Sequence, residues 1–200
     1  MTTPRDLLIT AMDAEPDTAI GQGELSLALA GAELVDLLAW GAVTLEGELI
    51  VPGPPITVDD PLLGKAASAL TRHGPPEAVD DWLWRRGRDL ARAYAEALTS
   101  EGTLTRARRR WAPLSTGAVV VADSADHRHA RQRWADREPV LTALAAAVGV
   151  PGHGDDQPAA PEGPVGTVLA AVQDAVTELA AVRQRRAIEK DAFDNTWRAP

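Results

Sequence analysis

The sequence predicts a mainly α-helical fold that carries small β-hairpins. Three observations lead there. Apolar residues make up 45% of the chain, yet Phe and Tyr occur once each, so Ala and Leu dominate the core-forming set. Such a set favours helices over an aromatic-rich sandwich. Apolar residues recur at helical spacing in several long segments. Two short apolar runs, each folded about a turn signal, interrupt those segments. The 200 residues suit one domain with a buried core, with or without an appendage.

Residues 4–12 read as a short helix with Pro4 in its first turn. Residues 13–23 hold Asp, Pro and Gly and read as a loop. From Glu24 the residues Leu25, Leu27, Leu29, Leu34, Val35, Leu37 and Leu38 form a broad apolar face that ends at Trp40-Gly41. Gly31 inside this helix weakens the pattern. Val43 to Val51, folded about Glu46-Gly47, is a hairpin. Asp59-Asp60-Pro61 caps a helix running to about Thr71. Residues 77–100 form one or two helices, with Gly87 as the natural break. Residues 103–122 read as a second hairpin turning near Pro113 to Gly117. A polar helix follows from Ser124 to about Arg137, and an Ala-rich one from Glu138 to Val148. Residues 149–166 are rich in Gly, Pro and acid and read as a linker or exposed loop. Residues 167–189 return to helical spacing, with Arg in the last turns where the helix dipole favours it. The expected division is a helical domain over 1–148, a linker over 149–166 and a C-terminal helix over 167–200 packing on that domain.

Composition excludes several kinds of chemistry. Without cysteine there are no disulfides, thiolate metal sites or cysteine nucleophiles. No run of about 18 apolar residues offers a spanning helix. The first residues do not read as a signal peptide, and a cytoplasmic protein is expected. A net charge of −9 argues against nucleic acid as a partner. That average conceals a pattern. Between Arg85 and Arg137 stand twelve Arg and six acids, a local excess of +6, while the remainder is strongly acidic. Guanidinium groups match phosphate and carboxylate in a planar fork, so an Arg cluster is an anion-site candidate.

Four strings, in order, resemble the Golgi phosphoprotein 3 family. LALAGAELVDLLAWGAVTLEGELIV (Leu27 to Val51) resembles its signature helix running into a hairpin. DPLLGKAASAL (Asp60 to Leu70) is similar to its next helix. EALTSEGTL (Glu96 to Leu104) is similar to a later helix end. RRRWAPLSTGAVVVADSADHRHARQRW (Arg108 to Trp134) resembles its second hairpin and polar helix. The resemblance implies a mainly helical fold with small hairpins. Eukaryotic relatives are peripheral membrane proteins that bind phosphatidylinositol 4-phosphate and contact glycosyltransferase tails. This Ala- and Arg-rich chain looks like the prokaryotic branch. The family's lipid pocket combines a loop Trp, an Arg before the early Gly of the signature helix, and two Arg on a later helix. Here the corresponding positions are Gly21, Ala30, Arg88 and Ala91, with Arg92 beside the last. Arg88 alone matches. The C-terminal helix lies outside the four strings.

The candidate sites follow from these readings. Arg85, Arg88 and Arg92 stand three and four apart and would share one face of an unbroken helix, giving a phosphate or headgroup site. A solvated face pairing with Asp81 or Asp89 is the bland alternative. Arg108, Arg110, Trp111 and Leu114 suggest a hairpin resting on a membrane surface, Trp at the headgroup level and Arg toward anionic lipid. A buried structural Trp is the alternative there. His127 and His129 on a helix point apart and lack further ligands, so no metal is expected. Ser115 and Ser124 have no nucleophile context, and no glycine loop cradles phosphate. The paired acids read as caps and linker charge. No catalytic residue and no cofactor are expected.

The expected function is a non-enzymatic, peripheral membrane or anion-binding protein, phosphatidylinositol 4-phosphate-like by resemblance. Its expected partner is an anionic phospholipid or another phosphate or sulfate anion at the inner membrane face. The alternative is an adaptor module whose Arg-rich face meets an acidic protein, with self-association as a further option. A third class is an accessory to a biosynthetic enzyme.

Overall fold

The structure is a computed structural model, and it describes residues 2–14, 20–70, 75–106, 119–152, 159 and 161–198, with Arg106, Val119 and the last nine by backbone alone. Among the described residues there are eight helices and two small antiparallel sheets. Helix α1 spans Thr3–Asp13 and α2 spans Gln22–Ala39. Strands β1 (Val43–Glu46) and β2 (Leu49–Pro52) form the first hairpin, with Leu45 opposite Ile50. Helix α3 covers Pro61–Ser68. A two-residue strand, β3 (Glu77–Ala78), adds to the free edge of β2. Helices α4 (Val79–Arg86) and α5 (Leu90–Ser100) follow. Strands β4 (Leu104–Arg106) and β5 (Val119–Val121) pair, with Arg106 opposite Val119. Helices α6 (Ala125–Ala135), α7 (Pro139–Ala147) and α8 (Gly163–Arg198) complete the chain.

Helix α2 is the axis of the domain. Leu27, Leu29, Leu34 and Leu37 on it are buried, and so are Ala28, Ala30, Gly31 and Ala32 between them. Burial around most of its circumference means neighbours on most sides. The most extensive are α1, α4, α5 and α8, with α3, α7 and β1 adding smaller contacts. Gly31 is explained by α8, because a Cβ there would run into Cγ2 of Val172. The weakness in the helical pattern at Gly31 is therefore a close crossing of two helices.

Helix starts follow the sequence signals. Asp60 Oδ1 accepts from the amides of Leu62 and Leu63, both at 2.9 Å, and Pro61 opens α3. Ser124 accepts from His127 N at 3.1 Å, and Glu138 from the amides of Val140 and Leu141. Several boundaries differ from expectation. Helix α3 stops at Ser68 rather than Thr71. Residues 77–78 are strand, too short a run to signal itself. Helix α8 begins at Gly163 rather than at Thr167, and Val150 is already buried, so the expected linker over 149–166 is structured at both ends.

By length and composition alone, Gly163–Glu189 could cross a membrane, with a mean hydropathy of 1.4, although no unbroken apolar run announces it. Its place in the fold gives another reading. Val168, Leu169, Val172, Ala175 and Val176 lie in the domain core against α2, α4 and α7. This is the pattern of a core helix.

Three ion-pair networks run through the packing. Glu33 of α2 is wholly buried and receives Arg86 in a fork, at 2.7 and 2.8 Å, together with the Tyr94 hydroxyl at 3.0 Å. Arg86 also donates to the carbonyl of Leu62 at 3.2 Å. The group therefore ties α2, α3, α4 and α5 together. Burial pushes the Glu33 carboxyl above its usual range, against the pull of Arg86. Arg5 pairs with Asp60 and, at 2.5 and 2.6 Å, with Glu101. Asp60 is thus more than the cap its sequence suggests. Arg133 reaches Asp6 at 2.6 Å and Glu138 at 2.7 Å, fastening α6 to α1 and α7.

Candidate functional site at the bend between α4 and α5

The chain bends sharply between α4 and α5. Gly87 closes α4, and Asp89 adopts a left-handed backbone, φ 54°, before α5 begins. Asp is among the residues that tolerate this conformation. The bend fits tightly against α2. A Cβ on Gly87 would sit 2.6 Å from the Leu83 carbonyl oxygen and 3.2 Å from that of Ser26. Glycine is required there for proximity, since its φ is −67°. Helix α5 has no cap of its own. Ser26 of α2 supplies one in trans, its hydroxyl accepting from Ala91 N at 3.0 Å.

This bend, the start of α2 and Leu179 of α8 enclose a pocket of about 250 Å³. Gln22, Gly23, Trp84, Arg88, Asp89 and Arg92 are on its walls. The N-cap of α2 is Gly21, whose missing side chain leaves the first amides without a side-chain acceptor. Aligned peptide dipoles make this end partly positive. Arg88 is exposed and forms no ion pair among the described residues. Arg92 pairs with Glu96 at 2.8 Å on an open surface, a contact that raises the guanidinium and is readily exchanged in water. Trp84 adds an aromatic wall, its indole N–H bonded to Asp80 at 3.1 Å.

The shared helical face expected for Arg85, Arg88 and Arg92 is overturned by the bend. Arg88 and Arg92 meet in the pocket, while Arg85 belongs elsewhere. Arg85 forks onto Glu77 at 2.6 and 2.7 Å and lies 5.2 Å over the Trp82 ring. It joins α4 to β3 and has no part in the pocket. Arg108, Arg110, Trp111 and Leu114 of the expected membrane hairpin lie outside the described residues. The two other positions compared with the family pocket are core positions here. Ala30 is buried and its carbonyl accepts from Trp82 Nε1 at 3.1 Å, and Ala91 is buried at the start of α5.

Besides a shallow recess of about 640 Å³ along α3, two other openings are larger. One, of about 680 Å³, is lined by Asp59, Asp60, Glu101 and Asp126, with Arg5 already paired with the last three of these acids. Its charge suits no anion. The other, of about 390 Å³, lies between α1 and α6, with Asp13, Arg131 and Trp134 on its walls. His127 and His129 turn to different carboxylates, Asp13 at 3.2 Å and Asp6 at 3.6 Å. Among the described residues no group of three or more ligand side chains could hold a metal.

Fold and pocket together describe a mainly helical domain with an Arg- and Trp-lined cleft at a helix bend. The chain belongs to the Golgi phosphoprotein 3 (GPP34) family, whose model matches residues 4–190. The match runs past the four sequence strings and includes the packed part of α8. Comparison with curated proteins yields no match.

Proposed function

We propose that this protein is a non-enzymatic, peripheral membrane protein that takes a phosphate-bearing headgroup into the pocket at the α4–α5 bend. The observation that carries this reading is Arg88, an uncommitted guanidinium lining a concave site beside Arg92, Trp84 and the uncapped start of α2. An anion there would gain from two guanidinium forks and from the helix end. Membership of the Golgi phosphoprotein 3 family supports the ligand class. Asp89 on the wall, with Gly21 and Ala30 at the family's Trp and Arg positions, favours broad recognition of phosphate over selection of phosphatidylinositol 4-phosphate. The setting is the cytoplasmic face of a membrane.

The experiment is flotation of the full chain with neutral vesicles, with vesicles containing phosphatidylglycerol, and with vesicles containing phosphatidylinositol 4-phosphate. Binding should require anionic lipid, fall with added salt, and differ little between the two anionic lipids. The variant R88E/R92E should bind anionic vesicles much more weakly. Absence of wild-type binding at low salt, where attraction is greatest, would sink the proposal. Capture of an acidic protein without lipid binding would favour the adaptor reading.

A further inference from the structure

Helix α8 changes character along its length. Its first half is a core helix, with Val168, Val172, Ala175 and Val176 buried and Leu179 and Val182 half-buried. From Arg183 to Glu189 every residue is exposed, on all sides of the helix. The helix nevertheless continues to Arg198. At about 1.5 Å per residue, the part beyond Val182 is about 24 Å long. Packing normally supplies most of a helix's stability, and a stretch of this length has little in water by itself. A helix maintained past the edge of its core calls for another surface.

The composition of this arm indicates what that surface is. Arg183, Arg185, Arg186 and Lys190 stand within eight residues with Glu189 as the one acid, and the whole arm to Arg198 carries five basic and three acidic residues, in a chain whose net charge is −9. Arg185 and Arg186 form no ion pair among the described residues. Ile188 is 62% exposed, the highest value among the large apolar side chains described. Arginine stems flanking an exposed aliphatic side chain suit the headgroup zone of an anionic bilayer.

The arm also adjoins the headgroup pocket. Leu179, four residues before Arg183, is on the pocket wall. Arg183 pairs with Glu24 in the first turn of α2. A Cβ on Gly21 or Gly23 would come within 2.7 Å of the Arg183 guanidinium. The two glycines let the root of the arm seat directly against the site.

We infer that the projecting end of α8, from Arg183 through Lys190, is a second membrane contact that lies along an anionic bilayer beside the occupied pocket. This rests on the proposed headgroup reading for its orientation. It adds a part of the chain that the family pocket does not include. The arm supplies sequence-independent attraction to the surface, and the pocket engages one headgroup.

The test separates the two sites by using two probes on the full chain. Soluble glycerol phosphate reports the pocket. Vesicles of phosphatidylcholine and phosphatidylglycerol in equal parts report pocket and arm together. The variant R185E/R186E should bind vesicles at least tenfold more weakly, since each basic residue near such a surface contributes separately. Its glycerol phosphate affinity should stay within about twofold of wild type, because neither Arg is on the pocket wall. I188E should also weaken vesicle binding, with helicity by circular dichroism unchanged. R88E should lose glycerol phosphate binding while retaining residual, salt-sensitive vesicle binding through the arm. Unchanged vesicle binding by R185E/R186E overturns the inference. So does a change in the sedimentation of that variant without lipid, which would assign the arm to contacts between copies. If wild type binds vesicles through the arm but ignores glycerol phosphate, the headgroup pocket falls and the arm stands.

Discussion

Replacing Arg86 with Met tests how the core handles charge. Met roughly fills the space of the arginine stem but leaves Glu33 with the Tyr94 hydroxyl as its remaining donor among the described side chains. Glu33 is fully buried. Breaking a buried pair by removing one partner costs about 3–5 kcal/mol. For a chain of 150–250 residues each kcal/mol shifts Tm by about 2–4 °C, so the expected fall at neutral pH is roughly 6–20 °C. The pH dependence gives a second signature. Burial already raises the Glu33 carboxyl from 4.5, and loss of Arg86 removes the main opposing pull. A carboxyl raised in the folded state holds its proton more tightly there than in the unfolded chain. Stability linked to it is therefore greatest below the unfolded value and declines as pH rises through the window above 4.5. The deficit of R86M relative to wild type should shrink as pH falls toward that value. The double variant E33M/R86M, with neither charge, should recover most of the loss. Thermal melts by circular dichroism across pH 4.5 to 8 measure all three effects. A loss under about 1 kcal/mol at neutral pH, or a deficit independent of pH, would refute the reasoning, because the pair would then be solvated.

Three more outcomes follow from the geometry. D89N keeps a residue that tolerates φ 54° while removing an acid from the pocket wall, and should tighten glycerol phosphate binding roughly two- to fivefold in a titration at low salt. G31A puts a methyl against Val172 where α2 crosses α8, and should cost about 1–3 kcal/mol in a urea melt with little change in secondary structure. Glu101 is held below its usual range by the Arg5 guanidinium, so its contribution is present above about 4.5 and disappears as pH falls below that value. E101Q should flatten this acid limb of the stability profile and leave the region above it level.

The helices were legible in the sequence because their signals are local. Asp60-Pro61, Ser124 and Glu138 each act on amides two or three residues away. Gly41 and Gly102 end helices or follow them with positive φ, as glycine does. Charge was misread because its partners are distant. Arg5 meets an acid 96 positions away, Arg86 one 53 away and Arg133 one 127 away. From sequence alone Arg86 and Arg133 appear as part of a basic surface. In the fold Arg85, Arg86, Arg128 and Arg133 are each matched with a carboxylate. Among the described Arg side chains of that stretch most are committed to acids, and of the others Arg88 lines one pocket and Arg131 another.

The pocket was legible in one respect, Arg88, and that came from family resemblance. Its other determinants arise where separate segments meet. Ser26 caps a helix that begins 64 residues later, its hydroxyl meeting the amide one position further on. Gly87 must be bare because that same part of α2 presses on it, and Leu179 arrives from α8. No local pattern marks these residues as partners. The bend that takes Arg85 out of the site is also what brings Arg88 and Arg92 to the start of α2. With one unpaired guanidinium, one shared with Glu96 and an acid beside them, the pocket has modest net attraction for an anion. Durable attachment to a membrane then needs a second contact, much as one weak anchor is insufficient for stable membrane binding. The basic arm of α8, rooted on the same two glycines that open α2, is placed to provide it.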